Sequence, residues 1–188
     1  NGICSLNVHE DRYAMTCMME IDEAGQVVNY RIKPSIIRVG RRCSYKEVYK
    51  ALAEDIIPPD LADFMPMLRD LAEIANILNR MRRQRGALDF DFPEYKVLLD
   101  SEGTPLRIVK RDRTLAERLI EECMLIANET VATHLKDTHR ASVYRIHKMP
   151  NEEKLSLFQK VLNYLGENLI LGADGVAPRD FQKILDMV

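Results

Sequence analysis

The sequence predicts an α+β fold, a largely antiparallel sheet built from hairpins and packed with several helices. Three observations carry this. Two pairs of short apolar-rich runs flank turn sequences, Asp22-Glu-Ala-Gly25 and Ser101-Glu-Gly-Thr104. Two capping-box spacings, Ser44-Tyr-Lys-Glu47 and Thr114-Leu-Ala-Glu117, each precede a helical pattern. Hairpins and helices then alternate along the chain rather than forming strand–helix–strand units, which argues against a parallel sheet.

Taken in order, Arg12 to Ile21 shows partial alternation and reads as a strand. Gln26 to Arg38 follows the turn and completes the first hairpin. The Ser44 box starts a helix to about Glu54, and Pro58 and Pro59 end that segment. From Asp60 to about Arg83, Leu68, Leu71, Ile74, Ala75, Leu78 and Met81 recur at helical spacing, and Gly86 stops the run. Tyr95 to Leu99 and Leu106 to Lys110 form the second hairpin. The Thr114 box opens a long helix to about Leu135. Val143 to Ile146 reads as a short strand, and Pro150-Asn-Glu-Glu153 caps a helix through about Leu165. Gly172 to Pro178 is expected as a loop, and Pro178 starts a last short helix.

The 188 residues, 46% hydrophobic and 30% charged, suit one globular core, and no repeat, low-complexity tract or linker divides them. We therefore read residues 1–188 as a single domain. A net charge of −2 excludes a generic polyanion binder while leaving room for a local basic patch. Cys4, Cys17, Cys43 and Cys123 are too scattered for a disulfide framework or a zinc site, and the four histidines form no metal-binding spacing. No apolar run reaches the roughly 20 residues of a membrane span. The chain opens without methionine and ends at Val188 with a helical pattern still running, so a longer parent is expected.

The segment Arg118 to Asn128 is the most informative. Leu119, Ile120, Cys123, Met124, Leu125, Ile126 and Ala127 leave little polar face, yet Glu121 and Glu122 sit in mid-run. A carboxylate in such surroundings needs a partner. At 100° per residue Glu117, Glu121 and Asn128 share one face and Glu122 points away. The face is either a polar stripe paired with basic residues of the protein or a surface aimed at a ligand. Other features also read two ways. Arg80, Arg82, Arg83 and Arg85 can be a solvated helix end or contacts to phosphate. Phe90 and Phe92 can plug a core or offer a ring for base stacking. Tyr45 can be packing or a hydroxyl for a sugar. No nucleophile–base pair, glycine-rich phosphate loop or aspartate cluster is present, and Glu20, Asp22 and Glu23 at a hairpin turn read as solvated.

Several stretches in this order resemble the ribonuclease II/ribonuclease R family, 3'→5' exoribonucleases with an RNB catalytic domain. They are Asn1-Gly-Ile-Cys-Ser-Leu6 before the first strand, Ser44-Tyr45 opening a helix, and Arg85-Gly86 with Phe90 beyond. Leu119-Ile-Glu-Glu-Cys-Met-Leu-Ile-Ala-Asn128 and Tyr144-Arg-Ile-His147-Lys-Met-Pro150 complete the set. The last two are the most specific, and both look closer to ribonuclease R. The resemblance covers the middle of the RNB domain. It implies that the aspartates binding catalytic Mg2+ lie upstream of Asn1 and that the basic segment contacting the scissile phosphate lies beyond Val188. It also implies flanking cold-shock and S1-type domains.

By this resemblance Phe90 stacks on the 3'-terminal base, Tyr45 and Glu121 hydrogen-bond ribose, and Glu122 serves a structural salt bridge. No catalytic or metal-binding residue is expected within the chain. The parent would be a cytoplasmic, processive, two-metal exoribonuclease releasing nucleoside 5'-monophosphates from single-stranded or structured RNA 3' ends. The chain alone is expected to be inactive, to have no membrane partner, and to self-associate through apolar surface. The alternative is a non-catalytic RNA-binding or protein-interaction module on an RNB-like scaffold.

Overall fold

The computed structural model describes residues 2–88, 94–111, 113–146, 150–167 and 178–185. Two strands, β1 (Asp11–Ile21) and β2 (Val27–Arg38), form a long antiparallel ribbon in register from Asp11 opposite Arg38 to a bulge between Glu20 and Ile21. Asp22 closes the turn by accepting hydrogen bonds from the amides of Ala24 and Gln26 at 3.0 and 2.8 Å. Gly25 has φ 83°, and a Cβ there would stand 3.0 Å from Cβ of Met81, so the turn needs glycine for both conformation and contact. Pro34 sits within β2 because a two-stranded ribbon has only edge strands.

Helix α1 (Tyr45–Ala53) starts at the predicted capping box, with Ser44 and Glu47 bonded reciprocally. The single helix predicted from Asp60 is divided: Pro59–Phe64 is a 3-10 turn, and α2 runs Met65–Gln84. Pro66 is the reason. It lacks an N–H to donate and its ring clashes with a preceding turn, so it is accommodated only in a helix's first turn.

The second hairpin pairs β3 (Glu94–Leu99) with β4 (Pro105–Arg111). Among the described residues it forms a sheet separate from β1–β2, so the antiparallel strands make two ribbons rather than one sheet. Helix α3 (Leu115–Asp137) follows, then α4 (Glu152–Tyr164), capped by Asn151, and α5 (Pro178–Leu185). The strand expected at Val143–Ile146 is absent. Those residues belong to no helix or strand and pair with none, and Val143 is fully exposed. Its β-branched composition favours a strand, but a strand is stable only against a partner edge. The predicted loop at 172–178 lies largely outside the described residues.

The main core joins α1, the 3-10 turn, α2 and the first turn of α3 through Val48, Ala51, Leu61, Met65, Leu68 and Ala116. Farther along, Ala75 and Leu78 of α2 and Leu119 and Ile126 of α3 are buried where these two helices pack together. Leu162 and Ile184 centre a smaller cluster between α4 and α5, with Phe158 and Phe181 ring centroids 5.7 Å apart.

Candidate nucleic-acid interface

The carboxylates of α3 divide between two environments. Glu122 is 3% exposed and turned toward α2. Its carboxylate accepts from Asn79 Nδ2 at 2.8 Å, from Arg82 Nη2 at 2.9 Å, and from Arg82 Nε at 3.3 Å. This is the structural salt bridge expected of it. Burial demands such saturation, since an unpartnered carboxylate there would carry its full desolvation cost.

Glu121, one position earlier, faces outward and is 35% exposed. The sequence reading assigned it a partner outside the protein, yet it already has one within: Arg113 Nη2 lies 2.5 Å from Oε2. The expected common face of Glu117, Glu121 and Asn128 performs three tasks. Glu117 is the acceptor of the capping box, bonded to the Thr114 amide at 3.0 Å and to its hydroxyl. Asn128 is exposed and lines an open cleft between β1 and α3 with Met15, Cys17, Val131 and Tyr144.

Tyr45 is the first residue of α1 and 45% exposed. Its hydroxyl makes no hydrogen bond among the described residues. The turn beneath it is held by Arg41, an 87%-covered arginine that sequence reasoning missed. Arg41 Nη2 bonds Glu47 Oε1 at 2.6 Å and Asp60 Oδ2 at 2.8 Å, and Nη1 bonds Cys43 Sγ at 3.1 Å. These hydrogen bonds hold the Glu47 and Asp60 carboxyls below their ordinary ionisation range and raise that of the guanidinium. Glu47 thus serves both the cap and the clamp. Phe90 lies outside the described residues. Tyr45 and Glu121 stand on helices that share the main core, through Val48 and Ala51 on one side and Ala116 on the other.

The basic run separates in the same way. Arg82 is largely covered where it meets the buried Glu122, and Arg85 pairs with Glu129 at 2.6 Å on the surface. Arg80 and Arg83 are exposed and meet no partner among the described residues. The signal for Arg82 was present: it lies seven residues after Ala75 and four after Leu78, on the buried stripe. Burial also raises the Cys123 thiol above its usual range, as in a packed cysteine rather than a reactive one.

Among the described residues no three His, Cys, Asp or Glu side chains gather as a metal site requires. They do not fit the magnesium implied by the resemblance. No helix among them is long and apolar enough to cross a membrane.

Comparison with known proteins gives one consistent result. The family model described as RNB domain matches residues 1–187. Ribonuclease R 1 of Lactococcus lactis subsp. lactis (strain IL1403) is 37% identical over 189 residues, covering 100% of this chain and 23% of that protein. Ribonuclease R of Thermotoga maritima is 38% identical, covering 100% and 26%. The chain therefore spans about a quarter of the length of these curated relatives. Among solved structures, Mycoplasma genitalium RNase R in complex with ribose methylated single-stranded RNA superposes with a TM-score of 0.92 at 26% identity. That match covers 100% of this chain and 29% of the other. The same enzyme in complex with double-stranded RNA also gives 0.92, covering 98% and 33%.

Proposed function

Because the chain belongs to the RNB-domain family, we propose that it is the part of a processive 3'→5' exoribonuclease that recognises the base and ribose at the RNA 3' end. The observation that carries this is the whole-chain similarity to RNase R structures solved with RNA, at a TM-score of 0.92. In this reading Phe90 stacks on the terminal base, a sequence-tolerant contact worth about 1–3 kcal/mol. Tyr45 and Glu121 meet ribose hydroxyls. A 2'-hydroxyl both donates and accepts, so a phenol and a carboxylate together distinguish RNA from DNA. The exposure of both side chains is compatible with that role.

The substrates are RNA 3' ends, single-stranded or structured, hydrolysed in the cytoplasm to nucleoside 5'-monophosphates. Magnesium would supply the activated water and leaving-group stabilisation from ligands outside this chain. The chain alone is then inactive. It also self-associates: Tyr13, Met15 and Ile36 on β1–β2 are 89%, 69% and 64% exposed, an apolar surface that water disfavours.

Two measurements test the proposal. A nuclease-free preparation of the chain, incubated with labelled RNA and magnesium, should release no mononucleotide; release would overturn the inactivity. In the full-length enzyme, Glu121→Ala should bring RNA and DNA 3' ends closer in affinity. Undiminished discrimination would remove Glu121 from the site.

A further inference from the structure

Resting on the reading of Glu121 as a ribose contact, we propose that Arg113 is a positioning residue for sugar recognition, its guanidinium holding one oxygen of the Glu121 carboxylate so that the other is presented to the ribose. Arg113 Nη2 lies 2.5 Å from Oε2. Oε1 accepts nothing from the described residues, and the side chain is 35% exposed.

The Arg113–Glu121 contact is not explained by its own contribution to folding. Arg113 immediately precedes Thr114, the N-cap of α3. The helix dipole places partial positive charge there, which favours acids and opposes a guanidinium. The ion pair is about one-third exposed on both sides, and pairs so solvated contribute little to folding.

The surrounding structure is suited to aiming Glu121. The Thr114–Glu117 capping box secures the backbone from which Arg113 springs. On the opposite side, Asn79 and Arg82 grip Glu122 and set the rotation of α3. With the helix held, the freedom left to Glu121 is in its own side-chain torsions. Arg113 removes that freedom before RNA arrives, so less ordering cost falls on binding.

The test is a double-mutant cycle in the full-length enzyme of the proposed function. Dissociation constants are measured by fluorescence anisotropy, without added metal, for an oligoribonucleotide and its deoxy counterpart. Glu121→Ala should lower the RNA/DNA affinity ratio by about tenfold or more, the scale of a hydrogen bond to a charged group. Arg113→Ala should lower it in the same direction with its unfolding midpoint kept, and Arg113→Lys should retain part of it. The double variant should be no worse than Glu121→Ala alone, because both changes remove one function.

If Arg113→Ala leaves the ratio intact while Glu121→Ala lowers it, the positioning role is overturned. Equal weakening toward RNA and DNA with a shallower salt dependence would make Arg113 a direct phosphate contact instead. A ratio that falls only together with stability would make it a structural staple. If Glu121→Ala itself changes nothing, the ribose assignment fails, and the positioning role fails with it.

Discussion

Replacing Arg82 with alanine should be among the most destabilising single changes in the α2–α3 interface. The substitution removes Nη2 and Nε from Glu122 and leaves a 3%-exposed carboxylate with the Asn79 amide as its remaining side-chain donor among the described residues. Removing one partner of a buried ion pair costs about 3–5 kcal/mol, mostly because the remaining charge is stranded. For a chain of this size about 1 kcal/mol moves the melting temperature by roughly 2–4 °C, so the loss should be roughly 6–20 °C. Arg85 provides an internal control on the same helix end. Its pair with Glu129 is about half exposed on both sides, so Arg85→Ala should cost about 0–1 kcal/mol. A third variant, Arg82→Met with Glu122→Leu, replaces both charges by apolar groups and should recover most of the loss. Urea unfolding at pH 7, followed by circular dichroism, gives all four stabilities. An Arg82→Ala variant no less stable than Arg85→Ala would refute the argument that burial, rather than pairing, sets the cost.

Two further outcomes follow from the geometry. Glu47 and Asp60 have folded-state ionisation lowered by hydrogen bonds from Arg41, so their contribution is present above the ordinary carboxylate value of about 4 and lost as pH falls through the lowered one. Arg41→Met should therefore lower the urea midpoint at pH 6 and do so much less at pH 3; an equal loss at both would remove electrostatics as the cause. Gly25 and Gly103 both have left-handed backbones, at φ 83° and 86°, but an added Cβ meets Met81 at 3.0 Å in the first and nothing within 4 Å in the second. Alanine at either should cost about 1 kcal/mol or more. Thermal melts should show the larger loss at Gly25, and equal losses would mean the ribbon does not press on α2 as described.

Much of the local structure was legible because its causes are local. The two capping boxes set the starts of α1 and α3 through hydrogen bonds spanning three residues. The turns at Asp22 and Asp100 are closed by each aspartate's own side chain on nearby amides. The split before α2 was also written in the chain, in Pro66, but the apolar periodicity beginning at Asp60 obscured it. Val143–Ile146 failed as a strand for a non-local reason: it pairs with no edge among the described residues.

The candidate site divides along the same line. Sequence alone determined that α3 carries two carboxylates with different directions, because helical rotation separates neighbours by 100°. It also determined the family, through the Glu121-Glu122 stretch and its neighbours in order. Which charge meets which was decided by tertiary structure. Arg82 reaches Glu122 across 40 residues of sequence, and Arg41 reaches Asp60 across 19. Arg113 is eight residues from Glu121, yet its approach depends on how β4 delivers the chain to the head of α3. Local pattern sets the direction in which a side chain leaves its helix. Only the packing of helix on helix decides whether water, a cation or a ligand waits at the other end.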